Sequence, residues 1–455
     1  MVAIINIRGE IMKFSFIVIV FMSILIVGCA QPGEKNIQSD ENSEKSLTIF
    51  WAEWAPAESM EILLKDFTAE TGIKAEIKVV PWSDFQDETF RVLESKSADF
   101  DLVIGDSQWL GRGAVGGHYI ELTKFVQENK LDESMLPLTV KAYGEYPRGS
   151  ERYYAIPAEA DAMGWAYRQD LFEDPEEKAA FKAKYGYDLA VPETWYQVRD
   201  IAEFFHRPEQ GFYGIGIPTG VPHDPITMGV QNVLWAWGGS LGDNEYKVEG
   251  HLNSPESVEG LEFYKELYQF TPPGFENAYY TEAQNMFVQG KIPMFFTYIG
   301  FFPDLERAEL NPYANVTNYF IMPAGPEGRV ISLGGQGLSL NSYSKNKEEA
   351  LIFMKWFIRE DVQEKWAELG GFSPNKKVLS SEKFLSATKY NKVLADSLPL
   401  MRDFWAVPEY PQLLEVSQLY WNRYVTTNNI TAQETMDVVT EKWEGIFEYA
   451  GYYKE

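Results

Sequence analysis

Two carboxylates two residues apart, Glu159 and Asp161, lie between the apolar runs at residues 153–157 and 163–167. Such a pair can serve a glycoside hydrolase as acid and base, working about 5 to 10 Å apart. Here both fall in one short acidic bridge, where carboxylates are ordinarily solvated, and no second acidic motif on a barrel-like repeat accompanies them. The sequence holds no G-x-S-x-G elbow, no P-loop and no H-E-x-x-H zinc signature. His118, His206, His223 and His251 are scattered without ligand spacing. The expectation is a protein without catalysis, metal or cofactor. Two strands joined by a short polar bridge suit a hinge between lobes, because a few backbone torsions then absorb the movement. The same residues equally suit a strand, a bulge and a strand inside one sheet.

The elements before this stretch collect polar and aromatic residues at one place. Residues 47–51 read as a strand, and a helix opening at Pro56 carries Met60, Leu63, Leu64 and Phe67 at helical spacing until Gly72 stops it. A second strand covers residues 75–80, and Ser83 with Gln86 has the pattern of a capping box. Residues 101–104 form a third strand. Strand, helix, strand, helix, strand predicts an α/β fold with a parallel sheet. Ligands of such sheets bind at the carboxyl ends of the strands. Those ends carry Trp51, Glu53 and Trp54 after the first strand and residues 106–109, with Asp106, Gln108 and Trp109, after the third. An acid directly after a buried strand, as at Asp106, has little structural reason to be there.

Beyond residue 172, Thr194 and Gln197 form a second capping box ahead of Val198, Ile201, Ala202 and Phe205. Residues 213–217 read as a strand, and Trp235 and Trp237 end an apolar helix just before two glycines. Ser254 and Pro255 open a further helix. Residues 287–299 turn at Gly290 into a buried strand, residues 319–322 form another, and residues 334–337 read as a glycine turn. The last helix carries a Thr431 to Glu434 capping box.

The address is written at the start of the chain. Met12 and Lys13 precede an apolar segment, residues 14–27, that ends Ile26, Val27, Gly28, Cys29. A basic start, an apolar core too short to span comfortably and a small residue before the cut describe a secretory signal, with translation expected to start at Met12. Aliphatic, Val, Gly, Cys resembles the lipobox of bacterial lipoproteins, in which the cysteine is lipidated. Cys29 is the only cysteine, so an intramolecular disulfide is impossible. Residues 30–46 are polar and read as a flexible tether. The chain carries a net charge of −27 over 455 residues, and residues 1–28 carry +1 of it through Arg8, Lys13 and Glu10, so the remainder carries −28. Nucleic acid and anionic lipid would be repelled, which leaves the lipid as the membrane contact. Aromatic residues make up 15% of the chain, with 13 Trp and 26 Tyr, more than core building ordinarily requires. An aromatic-lined ligand site is one explanation.

The order of the pieces resembles the family 1 extracellular solute-binding proteins of ABC importers, relatives of maltose-binding protein. The lipobox carries the likeness together with DLVIGDSQWL, YAIPAEADAMGWAYRQDLF, PETWYQVRDIA, FVQGKIPMFF, MPAGPEGRVISLGGQGLSLN leading into EEALIFMKWF, and WAELGGFSPNKKVL. The resemblance implies a two-lobed α/β periplasmic-binding-protein fold with a ligand cleft between lobes. It places residues 1–28 in a signal peptide, residues 29–46 in the lipidated tether, residues 47–158 plus about 298–345 in the first lobe, and residues 159–297 plus about 346–455 in the second. It reads the stretch at residues 153–172 as the first crossing, with others near Thr297 and Asn346.

Matching positions then implies a carbohydrate site built from Trp51, Glu53, Trp54, Asp106, Gln108, Glu159 and Asp161, with Trp235 and Trp237 as stacking surfaces. Gly334, Gly335 and Gln336 would offer backbone donors, and Phe372, Arg402 and Trp405 would close the far lobe. Against this, Trp235 and Trp237 suit a core, and Arg402 and Trp405 suit one face of a helix. The implied function is a monomeric, lipid-anchored, extracytoplasmic receptor that delivers a sugar or oligosaccharide to the transmembrane subunits of a permease. A polyamine or glycerol-phosphate ligand, or a surface sensor or adhesin, is the alternative; the acidity favours neutral or cationic ligands over phosphates.

Overall fold

The computed structural model describes residues 45–453. The expected signal, Cys29 and most of the tether lie outside the described residues. Eight strands follow in chain order: β1 (Ser46–Ala52), β2 (Lys74–Val80), β3 (Leu102–Asp106), β4 (Ile156–Arg168), β5 (Met294–Tyr298), β6 (Thr317–Ile321), β7 (Ile331–Leu340) and β8 (Met401–Arg402). Their order in the sheet is β2-β1-β3-β7-β4-β5, with β6 also paired to β4 and β8 to β7.

The first three strands are parallel, as expected. Helix α1 (Ala55–Thr71) crosses from β1 to β2, burying Met60, Leu63, Leu64 and Phe67 and ending at Gly72 with φ 73°. Helix α2 (Trp82–Glu94) crosses from β2 to β3, but without the expected capping box. It starts two residues earlier, behind Pro81, so Ser83 lies inside the first turn and cannot take the extended cap conformation. The parallel pattern then ends, because β7 enters between β3 and β4 and runs antiparallel to both. The glycine turn expected at residues 334–337 is therefore the middle of a strand, its backbone groups taken up by ladders on either side.

β4 is the longest strand among the described residues and is buried at every position. Its first half pairs with β7, and its second half with β5 and β6. The two expected strands are one, interrupted only by a register shift between Pro157 and Glu159. The backbone thus follows strand, bulge and strand, and the acidic bridge is buried, not solvated: Glu159 and Asp161 are 0% and 1% exposed. At residues 213–217 the expected strand shrinks to one bridge, Gly216 to Phe295.

Helices α3 (Trp195–Phe205), α4 (Pro225–Ala236) and α5 (Pro255–Tyr268) follow, α3 with its Thr194 to Gln197 capping box and α5 capped by Ser254. After β7 come α6 (Lys347–Phe357) and α7 (Glu360–Glu368), and the chain closes with α8 (Tyr410–Thr426) and α9 (Ala432–Ala450), the last bearing the Thr431 to Glu434 capping box. Near the second half of β4 the core centres on Trp165, whose ring stacks on Phe320 at 5.4 Å and meets Phe296 at 4.9 Å and Trp195 at 5.8 Å. Helices α4 and α8 meet through Thr227 and Ser417, hydroxyls 2.9 Å apart.

Two segments pack against elements distant from them in sequence. Phe353 and Trp356 of α6 pack on Phe67 at 5.2 and 5.3 Å, and Trp366 of α7 packs on Trp51 at 6.3 Å. These two helices thus complete the layer over α1 and β1. Strand β6 pairs with residues 164–168 on the edge of β4 opposite β5. Apolar faces decided both placements: α6 presents rings to Phe67, and Phe320 of β6 covers Trp165.

Candidate functional site

Where β3, β7 and β4 meet, a cavity opens, lined by acidic, amide and aromatic side chains. Its polar centre is one row across the sheet. Asp106 pairs with Gln336, and Gln336 with Glu159, so the three side chains share a face. The Gln336 amide donates from Nε2 to Asp106 Oδ1 at 2.9 Å and accepts on Oε1 from Trp51 Nε1 at 2.5 Å. Trp51 is fully buried and lies behind the cavity as the brace that orients Gln336. Gln108 holds Asp403 through a 2.9 Å bond from Nε2 to Oδ1.

Asp161 lies one step along β4. Its carboxylate accepts from the amide of Ala162 at 2.7 Å and from that of Gly300 at 3.1 Å. A Cβ at residue 300 would stand 2.4 Å from the Trp54 ring and 2.9 Å from Asp161. Glycine there lets indole and carboxylate converge on one backbone amide. Opposite, His223 has φ 60° and brings Nε2 within 4.0 Å of Asp106 Oδ2 and 3.5 Å of Asp224 Oδ1. Tyr280 donates to the same Asp224 oxygen at 3.0 Å.

Around these acids stand Trp54, Trp82, Tyr279, Tyr280, Tyr298 and Phe301. Trp54 and Trp82 meet edge to face at 5.0 Å, and both indole N–H groups lack a partner among the described residues. Flat faces beside hydrogen-bonding carboxyls suit a ligand with C–H faces and polar edges. Burial pushes the Asp106 carboxyl up to about 7, against the pull of His223. Burial likewise raises Asp161, Glu159 well above the carboxylate range, and Asp403 to about 6.

Of the expected residues, Trp54, Asp106, Gln108, Asp161, Gly334, Gly335 and Gln336 line the cavity. Glu159 is buried behind the wall with both carboxyl oxygens unpartnered. Glu53 is exposed and faces away. Trp235 lies under the Arg402 guanidinium at 5.1 Å, and Trp237 packs on Phe263 at 4.5 Å. Phe372 is buried 6.0 Å from Tyr390, and Trp405 is wedged against Trp443 and Phe447. These aromatics are taken up by packing against neighbouring rings and the Arg402 side chain; residues 403–407 also form no helix. Missed were Trp82, His223, Asp224, Tyr279, Tyr280, Tyr298, Phe301 and Asp403. Asp224 before Pro225 has the form of a helix start, a signal that could have placed it and His223.

The sequence profile of the bacterial extracellular solute-binding proteins matches residues 51–364. A probable ABC transporter-binding protein of Deinococcus radiodurans is 26% identical over 298 residues, which span 64% of this chain and 66% of that protein. Among solved structures, the solute-binding protein of Agrobacterium radiobacter K84 in complex with ribitol superposes with a TM-score of 0.76 at 24% identity, covering 89% of this chain and 99% of that one. Maltose-bound T. maritima MalE3 gives the same TM-score at 22% identity, covering 88% and 99%. The fold is thus the two-lobed α/β architecture of these binding proteins, in which the expected parallel pattern of this chain ends at β3. With its profile match across more than half of the sequence and its cavity at the junction of β3, β4 and β7, the chain belongs to the bacterial extracellular solute-binding protein family.

Proposed function

We propose that this chain captures a polyhydroxylated solute, a sugar or polyol, in the cavity and delivers it to the transmembrane subunits of an ABC importer without chemical change. The observation that carries the reading is the wall itself, in which six aromatic side chains surround Asp106, Asp161 and Asp224. The ribitol and maltose bound by the structural relatives agree with it. The first lobe takes β1 to β3 with α6 and α7; the second takes β5, β6, α3 to α5, α8 and α9; β4, β5 and β7 carry the crossings. Closure of one lobe on the other gives a monomeric receptor its signal, because a ligand that prefers the closed state shifts the population toward it.

A thermal-shift screen of residues 45–455 against mono-, di- and oligosaccharides and polyols tests this. A ligand at a hundred times its dissociation constant adds about 2.7 kcal/mol to the folded state. Asp106→Ala is expected to weaken the best hit by about 10- to 100-fold, the worth of a charge-assisted hydrogen bond. Trp237→Ala is expected to lower the melting temperature and leave the dissociation constant unchanged, because its ring faces Phe263 and not the cavity. Equal affinity in wild type and Asp106→Ala would remove the cavity as the binding site.

The lipobox ending at Cys29 supports attachment to the bacterial membrane through lipid alone, with the protein on the extracytoplasmic side. Cells fed an alkyne fatty acid should label the wild-type protein and not Cys29→Ser; label on both would refute lipidation at this residue.

A further inference from the structure

The cavity wall contains three carboxyls and neither lysine nor arginine. Two more acids stand behind it: Asp403, held by Gln108, and Glu159, fully buried with both oxygens unpartnered and set in the same row as Asp106. The basic groups that bear on the five are His223, beside Asp106 and Asp224, and Arg148, whose charge reaches Asp403 from an exposed position. The other titratable groups near them are tyrosines, which bring hydroxyls and no positive charge: Tyr119, Tyr143, Tyr279, Tyr280, Tyr298 and Tyr410.

Buried like charges oppose one another's ionisation, and an unpaired buried carboxylate is costly. Neutral hydroxyls donate hydrogen bonds to such a cluster but leave its charge uncompensated. A ligand ammonium compensates it, and the π faces of the surrounding rings favour a cation as well. Asp106 uses Oδ1 for Gln336, and Asp224 uses Oδ1 for Tyr280. Asp106 Oδ2, 4.0 Å from His223 Nε2, and Asp224 Oδ2 therefore remain for a ligand donor, while the imidazole nitrogen lies 3.5 Å from the Asp224 Oδ1 that Tyr280 already engages.

We infer, building on the polyhydroxylated-solute reading, that the ligand of this cavity carries a protonated amine: it is an amino sugar or amino alditol, with its ammonium between Asp106 and Asp224 and its hydroxyls toward Asp161 and the free indole N–H groups of Trp54 and Trp82. Burial holds the Asp106 carboxyl up to about 7, so an ammonium that favours its ionised form displaces the proton it carries, and affinity falls as the pH is lowered.

Titration calorimetry of the intact mature protein with matched pairs tests the inference: glucosamine against glucose and 1-amino-1-deoxysorbitol against sorbitol at pH 7, with putrescine as a cation that lacks hydroxyls. The amine member of a pair should bind at least about tenfold tighter than its neutral partner, the effect of added charge-assisted hydrogen bonds. The advantage should shrink at pH 5.5, and Asp224→Asn or Asp106→Asn should each reduce the ratio toward one, with circular dichroism confirming that the variants are folded. A neutral member that binds as tightly as its amine overturns the inference and leaves the carbohydrate reading standing. Binding of putrescine with neither pair overturns the carbohydrate reading and the amino-sugar assignment together, while silence from all five compounds also overturns both.

Discussion

Replacing Gly335 with alanine is expected to lower the unfolding free energy by about 2 to 4 kcal/mol and to weaken ligand binding with it. Gly335 has φ 88°, a conformation that costs a side chain strain. An added Cβ would stand 2.4 Å from the Glu159 carbonyl oxygen, 2.5 Å from the Tyr143 hydroxyl and 2.7 Å from the Asp161 amide nitrogen. None of these can give way cheaply. Two are backbone atoms of β4, and the Tyr143 hydroxyl is fixed by its 2.6 Å bond to the Gly334 carbonyl. The strands must therefore separate, and with them the row of Asp106, Gln336 and Glu159. Gly328, at φ 113° with nothing within 4 Å of its added Cβ, separates backbone strain from collision. Urea denaturation of both variants decides: equal midpoints for Gly335→Ala and Gly328→Ala would mean that β4 and β7 are not held this closely.

Helix faces were legible where period acts locally, and caps where no earlier residue starts the helix, as Pro81 does ahead of Ser83. Met60, Leu63, Leu64 and Phe67 bury on one helix face, and Thr194 and Thr431 cap as their spacing says. Asp106 was legible for the same kind of reason, as an acid where a buried strand ends. What failed depended on distant partners. A run of Gly334, Gly335, Gln336 and Gly337 looks like a turn until strands lie on both sides of it, and only then is the glycine a requirement for close approach to β4. An acidic bridge looks solvated until β7 covers it. Tryptophan gives no local sign of which way it faces: Trp54 lines the cavity, whereas Trp51, three residues before it, braces Gln336 from behind, and Trp235 and Trp237 are buried away from it. His223 reaches Asp106 from 117 residues away in sequence, a distance that no spacing rule covers.

In the ligand-free protein the Asp106 carboxyl is expected to make stability fall as the pH rises, opposite to an ion-paired carboxylate. Burial holds it protonated up to about 7, whereas in the unfolded chain it releases its proton near 4. Between those values the folded state binds more protons than the unfolded state, so the unfolding free energy decreases with pH. Its contribution is complete below the unfolded value and is lost as the pH passes through about 7. A shift of this size corresponds to a change on the order of 4 kcal/mol. Glu70, Glu88 and Glu368, lowered by the basic partners Arg359, Arg91 and Lys383 at the surface, act in the opposite sense but at lower pH. Asp106→Asn isolates the effect, since its amide oxygen can still accept from Gln336 while its side chain cannot ionise. Chemical denaturation at pH 5 and pH 8 should show a smaller loss of stability over that interval in Asp106→Asn than in the wild type, by about 2 to 4 kcal/mol. An identical loss in both proteins would mean that the carboxyl is already ionised at pH 5, and the empty cavity would then be open to water.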